Sequence, residues 1–115
     1  MAGTFSGEVP TPLDVHTVRN YNSAVIFEWD EAKRRRNILK HGVDFADLPA
    51  VFQDVLVTIL DDRFDYDETR YLTLGLLKGR VVVIAHTETE SAIRIVSARK
   101  ATRDEEKSYY EQITD

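Results

Sequence analysis

The chain predicts an α+β fold, a small antiparallel sheet with helices packed on it, and three observations carry that expectation. Asp30 stands where a helix N-cap is wanted, and Gly42 stands where a left-handed residue would end that helix. From Val55 to Arg99, β-branched runs alternate with short turn signals. Thr102 with Glu105 three residues later forms a capping box for a last helix. The resulting order is β-α-α-β-β-β-β-α, with the helices expected on one side of the sheet.

Residues 1–22 mix Gly3, Gly7, Pro10 and Pro12 with polar residues and show no sustained period, so they read as a flexible N-terminal extension. The folded domain is expected over 23–115. Ala24 to Trp29 supplies β-branched and aromatic residues for a first strand, and a helix follows from the Asp30 cap to His41. Lys40 and His41 suit the negative end of that helix. A second helix over Phe45 to Phe52 places Phe45, Leu48 and Phe52 at helical spacing. Pro49 makes it short or broken, with Asp44 or Asp47 as its cap. The strands then run Val55 to Leu60, Arg70 to Leu77, Arg80 to Thr87 and Ala92 to Arg99, with a tight turn at Lys78-Gly79. The last helix spans Arg103 to Ile113.

Composition narrows the chemistry. A chain of 115 residues builds one small core, and a partner would add to its stability. It has no cysteine, so disulfides, thiolate metal sites and cysteine nucleophiles are excluded. No basic segment followed by an apolar run opens the chain and no stretch is long enough to span a bilayer, which leads us to expect a soluble, cytoplasmic protein with no membrane association. The net charge of −5 argues against coating a nucleic acid by bulk electrostatics, so any such contact must be local. Charge is unevenly spread. Lys33, Arg34, Arg35, Arg36 and Lys40 crowd the first helix, while Asp54, Asp61, Asp62, Asp65, Asp67 and Glu68 crowd a later segment.

The three histidines, His16, His41 and His86, show no metalloprotease spacing, and the acidic segment lacks the calcium-loop pattern, so no metal or other cofactor is expected. No phosphate-cradling glycine loop and no nucleophile-elbow motif occurs. What remains is arginine and lysine beside a carboxylate. Cleavage of RNA without a metal needs a 2′-hydroxyl aligned on its own phosphate, positive donors on the transition state and groups that move protons. Arg70, Arg80, Arg94, Arg99 and Lys100 are candidate donors, and Glu68 or His41 candidate proton carriers. The plainer alternative is that Arg94 and Arg99 only pair with the acidic segment and Glu68 only with Arg70. In a regular strand Arg94 and Arg99 face opposite ways, so either a bulge re-aims one of them or Arg99 belongs to the following turn. Lys33, Asn37 and Lys40, at helical spacing, form a polar stripe suited to lining a groove or simply to facing water. Trp29 reads as core, and Tyr109 and Tyr110 as packing of the last helix.

Several blocks occur in order: Phe27-Glu28-Trp29-Asp30 with Lys33 and Asn37, Lys40-His41-Gly42-Val43 with Phe45, Val51-Phe52 with Asp54, Asp67-Glu68-Thr69-Arg70-Tyr71, and Ile93 through Ala101. Together they resemble the BrnT family of bacterial type II toxins over about residues 25 to 111. The resemblance implies a RelE-like fold, ribonuclease activity that inhibits translation, and no cofactor. It also implies a BrnA-like antitoxin, a ribbon-helix-helix protein that binds DNA, joined with the toxin in a heterotetramer. By the same resemblance Glu68, Arg70 and Arg94 are the catalytic candidates, and Lys33, Asn37, Lys40, His41 and Arg99 support or contact RNA, alongside Arg80 and Lys100. Asp67 stands where the family usually has Gly, and Tyr71 where it usually has Trp. Two other readings fit the acidic balance: a catalytically silent partner-binding module in a repressor complex, and an interaction protein whose sheet a partner completes.

Overall fold

The computed structural model describes residues 14–19, 24–62 and 68–114, giving the backbone alone for 14–19 and for 24. The elements are β1 (Asp14–Arg19), β2 (Ala24–Trp29), α1 (Glu31–His41), a 3₁₀ turn (Phe45–Asp47), α2 (Leu48–Val51), β3 (Val57–Leu60), β4 (Tyr71–Leu77), β5 (Arg80–Glu88), β6 (Ala92–Lys100) and α3 (Arg103–Ile113). Local chemistry sets most of these boundaries. Asp30 accepts hydrogen bonds from the Ala32 and Lys33 amides, and Gly42 ends α1 at φ 72°. The Asp44 side chain caps the 3₁₀ turn, and Pro49 falls in the first turn of α2, where it does no harm. The second helix is therefore broken, as its proline predicts. Lys78 and Gly79, both at positive φ, make the two-residue turn that joins β4 to β5. The Thr102–Glu105 capping box forms as expected.

The six strands lie in the order β1-β2-β6-β5-β4-β3. Three features differ from the sequence expectation. Asp14–Arg19, within the part read as an extension, pairs antiparallel with β2; its β-branched Val15, Thr17 and Val18 suit the strand, which covers the edge that β2 would otherwise expose. The sheet is mixed, because β2 runs parallel to β6 with Glu28 beside Arg94. The helices are not all on one side. Phe27, Trp29, Val82, Ile84, Ile95 and Ala98 pack with Phe45, Leu48 and Val51 on one face, and Leu74, Val81 and Val83 pack with Tyr109 of α3 on the other. Residues 81 to 84 of β5 are all buried, so this strand is covered on both faces.

The attachment of α1 is polar. Asn37 is the buried residue of the helix. Its amide nitrogen donates to the Val43 carbonyl at 2.9 Å and to the Ala98 carbonyl at 2.8 Å, and its oxygen accepts from the Ala98 amide at 3.2 Å. The pairing of β2 with β6 ends at Glu28–Arg94. Beyond it, the Asn37 amide plays the part of a peptide group on β6. Arg34 adds a second tie, donating from Nε to Asp44 at 2.9 Å. On the sheet, Gly75 lies under α2, where a Cβ would meet Val51 Cγ1 at 2.5 Å.

Asn37→Ala strands both backbone groups of Ala98 and should lower the unfolding free energy by about 2–4 kcal/mol. Gly75→Ala should cost about 1–3 kcal/mol by overpacking. Denaturant unfolding measures both, and an Asn37→Ala loss below about 0.5 kcal/mol would remove the clamp from the account.

Candidate functional site

Strand parity and one irregularity build a row of charged side chains on the face that carries α3. In β6 the pairing to β5 shifts register between Ala85 and His86, so that Ala85 opposes Ser97 while His86 opposes Ile95. Val96 is the extra residue of this bulge. It resolves the parity conflict set by the sequence: Ile95 and Ala98 both point to the α2 face, and Arg94 and Arg99 both fall on the α3 face. Thr87 opposes Arg94 across β5, and Glu28 lies beside Arg94 on β2. The Asp61 amide donates to the Arg70 carbonyl at 2.8 Å, continuing the β3–β4 ladder one step. One step beyond the Tyr71–His86 pair, Arg70 lies opposite Thr87. The row across the sheet is thus Asp61, Arg70, Thr87, Arg94 and Glu28.

Glu68 joins this row through an ion pair with Arg94, whose Nη2 donates to its carboxylate. Both side chains stay accessible, at 23% for Arg94 and 32% for Glu68. Two of the three catalytic candidates, Glu68 and Arg94, are thus in contact, while Arg70 stands two strands away, one step past the end of the β4–β5 ladder; the sequence reading had offered Arg70 as the partner of Glu68. Asp61, expected in a solvated loop, is buried. Asp65 and Asp67 lie outside the described residues.

The candidate RNA-contacting residues do not assemble around this row. Lys33 and Lys40 are exposed on α1, but Asn37 between them is turned inward and engaged by backbone groups, so the polar stripe is interrupted at its centre. His41 is half-buried at the end of α1. Arg80 and Lys100 sit at the opposite end of β5 and β6, about 20 Å along the strands from Arg94. Arg99 shares the face of Arg94 but is held by Glu105 through two hydrogen bonds of 2.8 and 2.9 Å. That contact, chiefly the hydrogen bond from Arg99, draws the Glu105 carboxyl down to about 2. Trp29 is core, edge-on to Phe45. Tyr109 is fully buried and donates to the Val55 carbonyl, whereas Tyr110 is largely exposed.

Sequence reading missed two members of the site. Glu28 is flanked by the buried aromatics Phe27 and Trp29, so strand alternation marked it as facing away from the core. Nothing local could place it beside Arg94, which takes the parallel β2–β6 pairing. Thr87 is buried in the row by the same logic.

Directly behind the row, His86 is buried on the other face. Its Nε2 lies 2.6 Å from Thr73 Oγ1, which in turn bonds Thr58 Oγ1 at 2.8 Å, and its ring stacks on Tyr71 and meets Phe52 edge-on. Its Nδ1 stands 3.3 Å from the Glu88 carboxylate without hydrogen-bond alignment. Burial holds the imidazolium down to about 4. Between pH 6.5 and 4 the unfolded chain takes up this proton and the native chain does not, so stability falls as pH falls through that window, by on the order of 3 kcal/mol. Urea unfolding against pH is expected to show this loss in the native sequence and to lack it in His86→Gln. An identical slope in both would assign the effect elsewhere.

Among the described residues no three His, Cys, Asp or Glu side chains gather in a metal-binding group, and no helix is long and apolar enough to cross a membrane. A family model described as the ribonuclease toxin, BrnT, of type II toxin–antitoxin systems matches residues 29–105. No curated protein matches the chain.

Proposed function

Because the chain belongs to the BrnT family of type II toxin–antitoxin ribonuclease toxins, we propose that it is a metal-independent endoribonuclease that uses the RNA 2′-hydroxyl and arrests translation in the cytoplasm. The observation that supports this reading is the accessible ion pair of Arg94 with Glu68, with Arg70 one step past the end of the neighbouring β4–β5 ladder. In the free protein the Arg94 guanidinium is held by Glu68. An RNA phosphate displaces that carboxylate, because a guanidinium offers it paired donors in the same geometry. Arg94 and Arg70 then stabilise the charge that develops on the phosphate as the 2′-oxygen attacks, and the released Glu68 assists proton transfer. The products are a 2′,3′-cyclic phosphate and a free 5′-hydroxyl.

The family also supports an antitoxin partner. We propose a BrnA-like ribbon-helix-helix protein that binds DNA, forms a heterotetramer with this chain and keeps the site from RNA. With Asn37 buried and Arg99 held by Glu105, we assign first contact with the phosphate to Arg70 and Arg94. Exposed Lys33, Lys40, Arg80 and Lys100 contribute weaker, salt-sensitive attraction, and His41 a lesser one.

Purified wild-type chain is expected to cleave RNA in the presence of EDTA, and Arg94→Ala to be slower by about 10²–10³-fold with its thermal stability nearly unchanged. Induced without a partner, the wild type should halt bacterial growth and the variant should not. Equal cleavage by the two proteins, or complete dependence on an added divalent cation, would overturn the proposal.

A further inference from the structure

Three carboxylates surround the two arginines of the row, and they are not equivalent. Glu68 accepts from Arg94. Asp61 is buried and engaged. Glu28 is half-buried on the same face, one strand from Arg94, and its carboxylate makes neither a hydrogen bond nor an ion pair with the described residues. Neighbouring strands are about 4.8 Å apart, so the Glu28 and Arg94 side chains rise from adjacent positions, an acceptor without a partner among the described residues beside a guanidinium held by Glu68. Resting on the reading above, we infer that Glu28 is a catalytic residue of the same site, the general base that takes the proton of the 2′-hydroxyl.

The assignment follows from which oxygen is available. A base must have a lone pair directed at the hydroxyl within hydrogen-bond reach. Glu68 enters the reaction already accepting a charged donor, and it must first be displaced by the phosphate. Glu28 needs no displacement. A phosphate on Arg94 would have Glu28 to one side, on β2, and Glu68 to the other. The step balances. The 2′-O–H proton moves to the Glu28 carboxylate, the 2′-oxygen bonds to phosphorus, the bond from phosphorus to the 5′-oxygen breaks, and that oxygen takes a proton from a water molecule that the released Glu68 orients. Glu28 returns its proton to solvent. The rigidity of this geometry comes from the flanking Phe27 and Trp29, both locked in the core.

The test is steady-state cleavage of a short synthetic RNA by the full chain across pH 4 to 9, with the wild type beside Glu28→Gln and Glu28→Asp. Glu28→Gln is expected to lower kcat by about 10²-fold or more, to leave KM within about threefold, and to lose the acid limb of the pH–rate profile. Glu28→Asp keeps a carboxylate and should recover part of the rate together with that limb. A wild type that cleaves while Glu28→Gln keeps its rate and its pH profile would overturn the role of Glu28 and leave the ribonuclease reading standing. A lowered rate with an unchanged profile would make Glu28 a positioning residue instead. A wild type that cleaves no RNA sinks both.

Discussion

One side-chain amide holds the arrangement together. The pairing of β2 with β6 ends at Glu28 and Arg94, and the chain turns at once into α1. The next open backbone groups of β6 would be buried without partners, a cost of about 1–3 kcal/mol for each. Asn37 meets them by donating to and accepting from Ala98 while also holding Val43 at the far end of its helix. A charged helix with almost no apolar surface is thereby fixed to the sheet by geometry and not by area. The position of Gly42, and through it the 3₁₀ turn and α2, follows from that clamp.

The clamp also fixes the strand that carries the site. Ala98 lies on one side of the Val96 bulge and Arg94 on the other. Without the extra residue, and with Ala98 held in place, Arg94 would turn to the hydrophobic face, where a guanidinium has no place, and Ile95 would leave it. With it, Arg94 joins Arg70, Thr87 and Glu28 on the opposite face, and Glu68 reaches it from the start of β4. The same face is closed further along by α3, with Tyr109 over Val81, Val83 and Leu74. One face of one sheet thus serves two purposes: its lower half is core, and its upper half is a polar row in which Arg94 and its partner Glu68 stay accessible while Asp61 and Thr87 are buried. In a chain with a net charge of −5, carboxylates pair with these arginines, Glu68 with Arg94 on this row and Glu105 of α3 with Arg99.

Local chemistry made much of this legible from the residues alone. Asp30, Gly42, Pro49, Lys78-Gly79 and the Thr102–Glu105 pair bound their elements where hydrogen-bonding and φ requirements put them, because those requirements are satisfied within a few residues. Order among the blocks was enough to recognise the family, and of the residues it singled out the fold pairs Glu68 with Arg94. Strand alternation showed that Arg94 and Arg99 could share a face only through a bulge or with Arg99 in the following turn, and the structure has the bulge. Asn37 was misread for an intelligible reason. Its spacing matched Lys33 and Lys40, and spacing alone does not tell a solvated stripe from a buried amide.

What the sequence by itself determined, then, is the elements from β2 to α3, most of their ends, and the residue types available for chemistry. Which strands become neighbours, and in which direction, was decided by tertiary structure alone: β1 added to the edge, β2 laid parallel on β6, and helices divided between two faces. The physical reason is that caps and turns are local hydrogen-bond problems with local solutions. A contact between Glu28 and Arg94, by contrast, joins residues far apart in the chain, and its register depends on the packing of everything between them.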